Sequence, residues 1–297
     1  SSSRWRNPDN GYVLWDEVIK HNSGQTANWR YGSTAMNADA TTGQYIVNDE
    51  SFSSRSPFPR RNGWNQRNSI NSHYWFGAIG NLKTELAENL TLDVGFDSRF
   101  YRGFHYRNLR DLLGADGYRD SRYNGVPNTS GVVAGTKEYR WPISEVWNVF
   151  GNLDEEEKID RNNVGVVDYF GLYFQLEYLM DDVSIFVQGS GSSKGYSREE
   201  FYLYGPGDPL QYSDKVNLEG GSIKGGANWN IDAQNNIFGN VGFFSTQPII
   251  HSVFQNYDQI ATPEDKLLNE KIVGLELGYG FRSKTFDFNL NLYNTTW

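Results

Sequence analysis

The 297 residues contain no cysteine, which excludes a disulfide scaffold and any thiolate zinc site. No apolar run approaches the length a membrane-crossing helix needs, so helical spanning is excluded too. Positive charge is scarce. The 27 Lys and Arg stand against 36 Asp and Glu, a net charge of −9, and this argues against nucleic acid, which requires basic side chains gathered on one face. Ser1-Ser2-Ser3-Arg4-Trp5-Arg6 carries no apolar segment of the secretory kind, so an exported chain with this beginning is expected to be a mature form or an internal piece of something longer. Catalytic patterns are absent as well. His21, His73, His105 and His251 lie in separate segments without metal-ligand spacing, and there is neither a Gly-x-Ser-x-Gly elbow nor a phosphate-binding glycine loop. No enzymatic activity and no resident cofactor are expected.

Aromatic residues and alternation are what the chain does have. Aromatics reach 15 %, yet only 38 % of residues are hydrophobic, and the mean hydropathy is −0.64. A large soluble core normally leans on Leu, Ile and Val, whereas many aromatics beside many Asn and Gly fit a membrane barrel with aromatic girdles and polar loops. The clearest alternation puts Phe286, Phe288, Leu290 and Leu292 on one side of a strand and Asp287, Asn289, Asn291 and Tyr293 on the other. The same period runs through Leu90, Leu92, Val94 and Phe96, through Phe170, Leu172, Phe174 and Leu176, and through Val273, Leu275 and Leu277.

About eight such strands come as four hairpins, with tight turns near Glu88, Asp181, Gln234 and Lys284. Residues 1–70 are expected to form an irregular extracellular loop region with one short helix over 14–20. Residues 71–297 are expected to form the hairpins, with extracellular loops over about 103–165, 196–216 and 247–267. A helical turn is expected at 107–113. Short turns at one end and long loops at the other are the asymmetry of outer-membrane barrels. The predicted fold is therefore all-β: an antiparallel transmembrane β-barrel with short periplasmic turns and long extracellular loops, set in the outer membrane of a bacterial cell and in contact with its lipid.

Several blocks resemble the barrel of TonB-dependent outer-membrane receptors, particularly the large Bacteroidetes-type ones. They include Asn7-Pro8-Asp9-Asn10-Gly11-Tyr12, Phe104-His105-Tyr106-Arg107, Lys224-Gly225-Gly226-Ala227-Asn228-Trp229-Asn230 and Glu276-Leu277-Gly278-Tyr279-Gly280-Phe281-Arg282-Ser283. The resemblance covers essentially the whole chain, and the order of the blocks makes it more specific than any one of them. It implies that residues 1–297 are a slice of a larger barrel of about 22 strands, since eight strands enclose only their own side chains. It further implies a plug domain that these residues do not contain, periplasmic TonB reached through a missing N-terminal region, and import of a nutrient without chemistry on it. A surface lipoprotein is a further partner expected for this lineage. Two other readings stand beside it: a barrel subunit recruited into a larger outer-membrane assembly through its loops, and a soluble carbohydrate-binding β protein.

The candidate site residues follow from that frame. Trp15, Trp29, Trp141, Trp147 and Tyr204 are loop aromatics whose ring faces could stack on a ligand. Lys83, Asp93, Asp97, Arg99, Glu177, Glu270 and Glu276 form a charged row facing a wet lumen, because an Arg or Lys turned to lipid at mid-depth costs about 2–4 kcal/mol. Oxygen ligands for a loop-bound calcium could come from Asn37-Ala38-Asp39 with Asn48-Asp49-Glu50, or from 154–157 with Asp160, but neither spacing matches an EF-hand loop, and solvated loops are the expected reading.

Overall fold

The computed structural model describes residues 5–30, 32–40, 42–48, 63–119, 133–134, 158–255 and 259–297. Eight long strands form one antiparallel sheet: β4 (Gln66–Ala87), β5 (Leu90–Asp111), β8 (Lys158–Leu179), β9 (Val183–Glu200), β10 (Val216–Asn230), β11 (Asn235–Thr246), β12 (Glu270–Arg282) and β13 (Asp287–Thr296). Their spatial order is β13-β12-β11-β10-β9-β8-β5-β4. The expected four hairpins are therefore present, each closed by a short turn. Asp232 shows how one is built: its carboxylate accepts the backbone N–H groups of Gln234 and Asn235, both at 2.8 Å. Short polar side chains of this kind satisfy turn amides locally.

The chain divides into two compact units. The first comprises residues 1–73, 103–164 and 199–212, and the second 74–102, 165–198 and 213–297. The first holds helix α1 (Trp15–Asn22) and the short strands β1 (Ala27–Trp29), β2 (Gly32–Thr34), β3 (Ile46–Asn48), β6 (Gly117–Arg119) and β7 (Val133–Ala134). Two clusters are buried there. Trp5, Val18, Ala27 and Leu113 form one, with Trp29 and Trp64 against it, and Met36, Val47, Leu109, Tyr118 and Ile159 form the other. The region 1–70, expected to be irregular, is thus a packed body in its described residues, with the expected helix as one part. The expected helical turn at 107–113 is a strand instead: β5 runs on to Asp111, where Asn108 accepts a bond from Asn68 Nδ2 at 3.1 Å. Strand pairing overrides a local helical pattern there.

An eight-residue helix is too short to stand alone, and α1 is fixed by its surroundings. Val18 is fully buried on it. Asp16 and Glu17 sit in its first turn and Lys20 in its last, which suits the helix dipole. Asn22, fully buried at its end, donates to the carbonyls of Trp64 (2.6 Å) and Leu112 (3.1 Å) and accepts the Trp64 N–H (3.0 Å). One side chain therefore ties three separate stretches of chain together.

In the second unit the sheet register sets the faces. Ile185, Ala227, Gly239, Leu277 and Leu292 lie in one cross-strand row, and Val183, Trp229, Ile237, Tyr279 and Leu290 in another on the same side. The opposite side carries rows such as Gln188, Lys224, Gly242 and Gly274, and Phe186, Gly226, Asn240 and Glu276. Aromatic rings on this polar side lie across neighbouring glycines. A Cβ built on Gly278 would run into the Phe238 ring, one on Gly226 would meet Phe186 at 2.7 Å, and one on Gly242 would meet Phe244 at 2.8 Å. A ring laid over a strand glycine covers backbone that would otherwise be bare. Gly278→Val is expected to destabilise the sheet by about 1–3 kcal/mol through overpacking, and Phe238→Ala in the same chain should recover part of that loss. Equal melting of both variants and the parent would show that the ring gives way freely.

Candidate functional site

Burial in the second unit runs opposite to the pattern of a water-soluble sheet. Along β12 the apolar Val273, Leu275 and Leu277 are exposed, while Ile272, Gly274, Glu276, Gly278 and Gly280 between them are covered. Leu275 and Leu277 are 52 % and 56 % exposed. The same inversion holds for Ile237, Val241 and Phe243 in β11, and for Ile185 and Val187 in β9. In β8 it holds for Phe170, Leu172 and Phe174. Single exposed apolar residues are ordinary, but a contiguous band across many strands marks a surface made to be covered.

The covered side is a hydrogen-bonded wall. Asn240 donates to Glu276 at 3.0 Å, Asn236 to Asn228 at 2.8 Å, and the Ser190 and Ser222 hydroxyls meet at 2.7 Å. Ring-over-glycine contacts carry the facing to the remaining strands. Phe174 covers Gly189 of the apolar side, so Tyr173 points to the polar side, and Tyr173 in turn covers Gly95. Asp93, Asp97 and Arg99 share the side of Gly95, and Glu177 that of Tyr173, by the same period of two. Phe96 covers Gly80 on the apolar side, which leaves Lys83 on the polar one. Glu270 and Glu276 face that side by register. Arg99 is engaged by Asp97 through two bonds of 2.9 and 2.5 Å, and its guanidinium lies 5.6 Å from the Tyr169 ring centre. The wall is not uniformly polar. Trp75 and Ile79 of the edge strand β4 share the side of Lys83 by period and are strongly exposed.

The described loop aromatics differ in their surroundings. Trp15 opens α1 and is 44 % exposed. Trp29 is committed to packing, with its ring centre 6.3 Å from that of Trp5. Tyr204 is half-buried in the first unit, and Trp141 and Trp147 lie outside the described residues. The calcium arrangements fare differently from each other. Asp39 is occupied by protein donors: Thr42 N at 3.1 Å and Thr42 Oγ1 at 3.3 Å on one oxygen, and Arg119 at 2.8 Å on the other. Asp160, held at a positive φ of 58°, pairs with Arg67 and accepts the Tyr118 hydroxyl at 2.5 Å. Asp49, Glu50 and 154–157 lie outside the described residues, and among those described no group of three His, Cys, Asp or Glu is placed to hold a metal ion.

Two features escaped the sequence reading. An open polar cleft of 310 Å³ sits at the short-turn end of β10–β13, lined among others by Asn230, Asp232, Gln234, Asn236 and Asn289. Bonds from the Gln234 backbone and the Asn235 side chain hold the Asp232 carboxyl below its usual range. The second feature is a buried apolar cluster on the polar side of the sheet, made by Tyr196, Leu218, Val253 and Phe254. The signal for it was the apolar content of Ile249, Ile250, Val253 and Phe254 in a stretch read as a loop. Burial pushes the Tyr196 phenol from 10.0 up to about 12. A folded value raised above the unfolded one means that its stabilisation is complete below pH 10 and is lost as the pH rises towards about 12. Phenolate absorbance is expected to include a late-titrating tyrosine, and Tyr196→Phe should remove that step. The phenol also donates to the Pro248 carbonyl at 2.6 Å, a bond that the phenolate loses. No family model matches this chain, and no curated protein is significantly similar to it.

Proposed function

We propose that this chain forms part of the wall of an outer-membrane β-barrel receptor of the TonB-dependent kind, which binds a nutrient outside the cell and passes it inward without altering it. The observation that carries the reading is the inverted burial of the second unit, with an apolar band bare on one side and a bonded polar wall on the other. Lipid is the solvent in which that band costs nothing, and a barrel is the sheet arrangement that leaves no backbone unpaired within it. A transmembrane strand needs about 9–11 tilted residues, and the alternation from Val273 to Arg282 and from Asp287 to Thr296 supplies that length. The sheet has two edges, at β4 and β13, which suits a sector of a larger barrel. The energised transport step rests on the sequence resemblance, with TonB acting through a plug domain and a surface lipoprotein as a further partner.

The test is fractionation of the full chain from its membranes. It is expected to stay with the membrane through alkaline carbonate and to be released by detergent alone. Recovery in the soluble fraction without detergent would overturn the membrane reading and favour the soluble carbohydrate-binding alternative. For transport, nutrient uptake should fall when TonB is removed, and uptake that is indifferent to TonB would leave a passive or structural wall.

A further inference from the structure

Residues 247–255, which follow β11, fold back over the polar side of the sheet. Gln247, the first residue after β11, donates through Nε2 to the Ser192 carbonyl (3.1 Å), the Ser192 hydroxyl (3.0 Å) and the Leu218 carbonyl (3.4 Å). It lies so close over Gly220 that a Cβ there would meet the Gln247 amide at 2.7 Å. Helix α2 (Ile250–Val253) and Phe254 follow, and Val253 and Phe254 are 0 % and 1 % exposed. They fill a recess made by Val167, Tyr196, Val216 and Leu218. Register fixes the side, for Tyr196 pairs with Val216, Lys194 with Leu218, Ser192 with Gly220, Ser190 with Ser222 and Gln188 with Lys224. The recess and Lys224 therefore share one face. The returning segment is tied as well: Thr262 N–H donates to the Val253 carbonyl at 2.7 Å, and Gln259 and Arg198 exchange bonds of 3.2 and 3.3 Å.

We infer that residues 247–255 are a strap latched across the loop end of this polar wall by Val253 and Phe254, which must withdraw before a solute can reach Ser222 and Lys224 from that end. The inference rests on the membrane reading above. Val253 and Phe254 sit in an apolar recess at one end of a face whose adjoining rows, Ser190 with Ser222 and Gln188 with Lys224, are polar. A latch held by one four-residue helix and a few hydrogen bonds is small enough to open locally without melting the sheet. Gln247 and Tyr196 are positioning residues: they hold the strap and do not themselves fill the recess.

The test uses the full chain in its membrane, with Ser222→Cys as a thiol in a segment that has none and a membrane-impermeant maleimide sulfonate as the probe. Labelling at Ser222→Cys is expected to be slow beside Tyr12→Cys, and to rise by about tenfold when Phe254→Asp withdraws the latch. An unchanged rate overturns the strap. If Phe254→Asp prevents assembly, Gln247→Ala with Tyr196→Phe removes two tethers without adding charge, and the same rise is required of it. Leu290→Cys separates the two ideas. Rapid labelling there would overturn the lipid-facing assignment, while the comparison at Ser222→Cys would still decide whether the strap opens.

Discussion

Leu277→Arg is expected to cost about 2–4 kcal/mol in barrel assembly, the cost of turning a guanidinium to lipid near mid-depth. Leu277 lies midway along the alternating stretch of β12, in a row with Gly239 and Leu292. The prediction discriminates because the competing reading forecasts the opposite result. In water, a side chain already 56 % exposed could become Arg with a change within about 0.5 kcal/mol and a gain in solubility. Leu277→Ile keeps volume and character, and it should cost less than about 1.5 kcal/mol. One residue away, Glu276→Leu removes the acceptor of the Asn240 bond and should be tolerated less well than Leu277→Ile. The measurement is the fraction of folded chain, by heat-modifiable migration, recovered from the membrane. Equal recovery of parent and Leu277→Arg would reverse the facing of all eight strands.

Asn22→Ala is expected to loosen the first unit by about 3–5 kcal/mol, since each buried polar group left unsatisfied costs about 1–3 kcal/mol. Three groups lose their partner together: the Trp64 N–H, the Trp64 carbonyl and the Leu112 carbonyl. None of the three regains water easily, because Asn22 itself is fully buried. Asn22→Asp gives a sharper comparison. It keeps an acceptor for the Trp64 N–H but turns a negative oxygen towards two carbonyls, so it should be at least as harmful as the alanine. Ser23→Ala removes exposed bonds to the Ile19 and Lys20 carbonyls and one accepted from Gln25 Nε2, and should change little. Hydrogen exchange across 15–22 and 109–113 reads the difference. Unchanged protection in Asn22→Ala would mean that the buried clusters hold α1 without the pin.

The strand pairs were legible in the sequence because a period of two carries both element type and facing. Phe288, Leu290 and Leu292 could not face inward without turning Asn289 and Asn291 outward. What periodicity does not encode is where a connection goes once a strand ends. Trp5 and Trp29 sit outside any repeating pattern, so nothing in their spacing separated a packed ring from a ligand-facing one, and the packing of 1–70 was missed for that reason. Phe186, Phe238 and Phe244 are a different case. They stand on the polar side as covers for glycines: Phe244 lies over Gly242 of its own strand, while Phe186 and Phe238 lie over Gly226 and Gly278 of the next one, partners that become evident only once the register is known. The strap over Ser192 and Gly220 was missed because its contacts lie far away in sequence, although its four apolar residues mark it as more than a solvated loop.

Strand order in the sheet follows strand order along the chain, with the single long step falling between β5 and β8. Every other neighbour is reached through one turn or one connection, so the entropy of closing each new pairing is modest. Such a sheet can grow by accretion, each hairpin docking on the edge left by the one before it, and no strand has to be threaded between two already placed. The slow event is then the closure that brings β8 onto β5, and mutations in the stretch between them should alter the speed of assembly more than the stability of the finished wall.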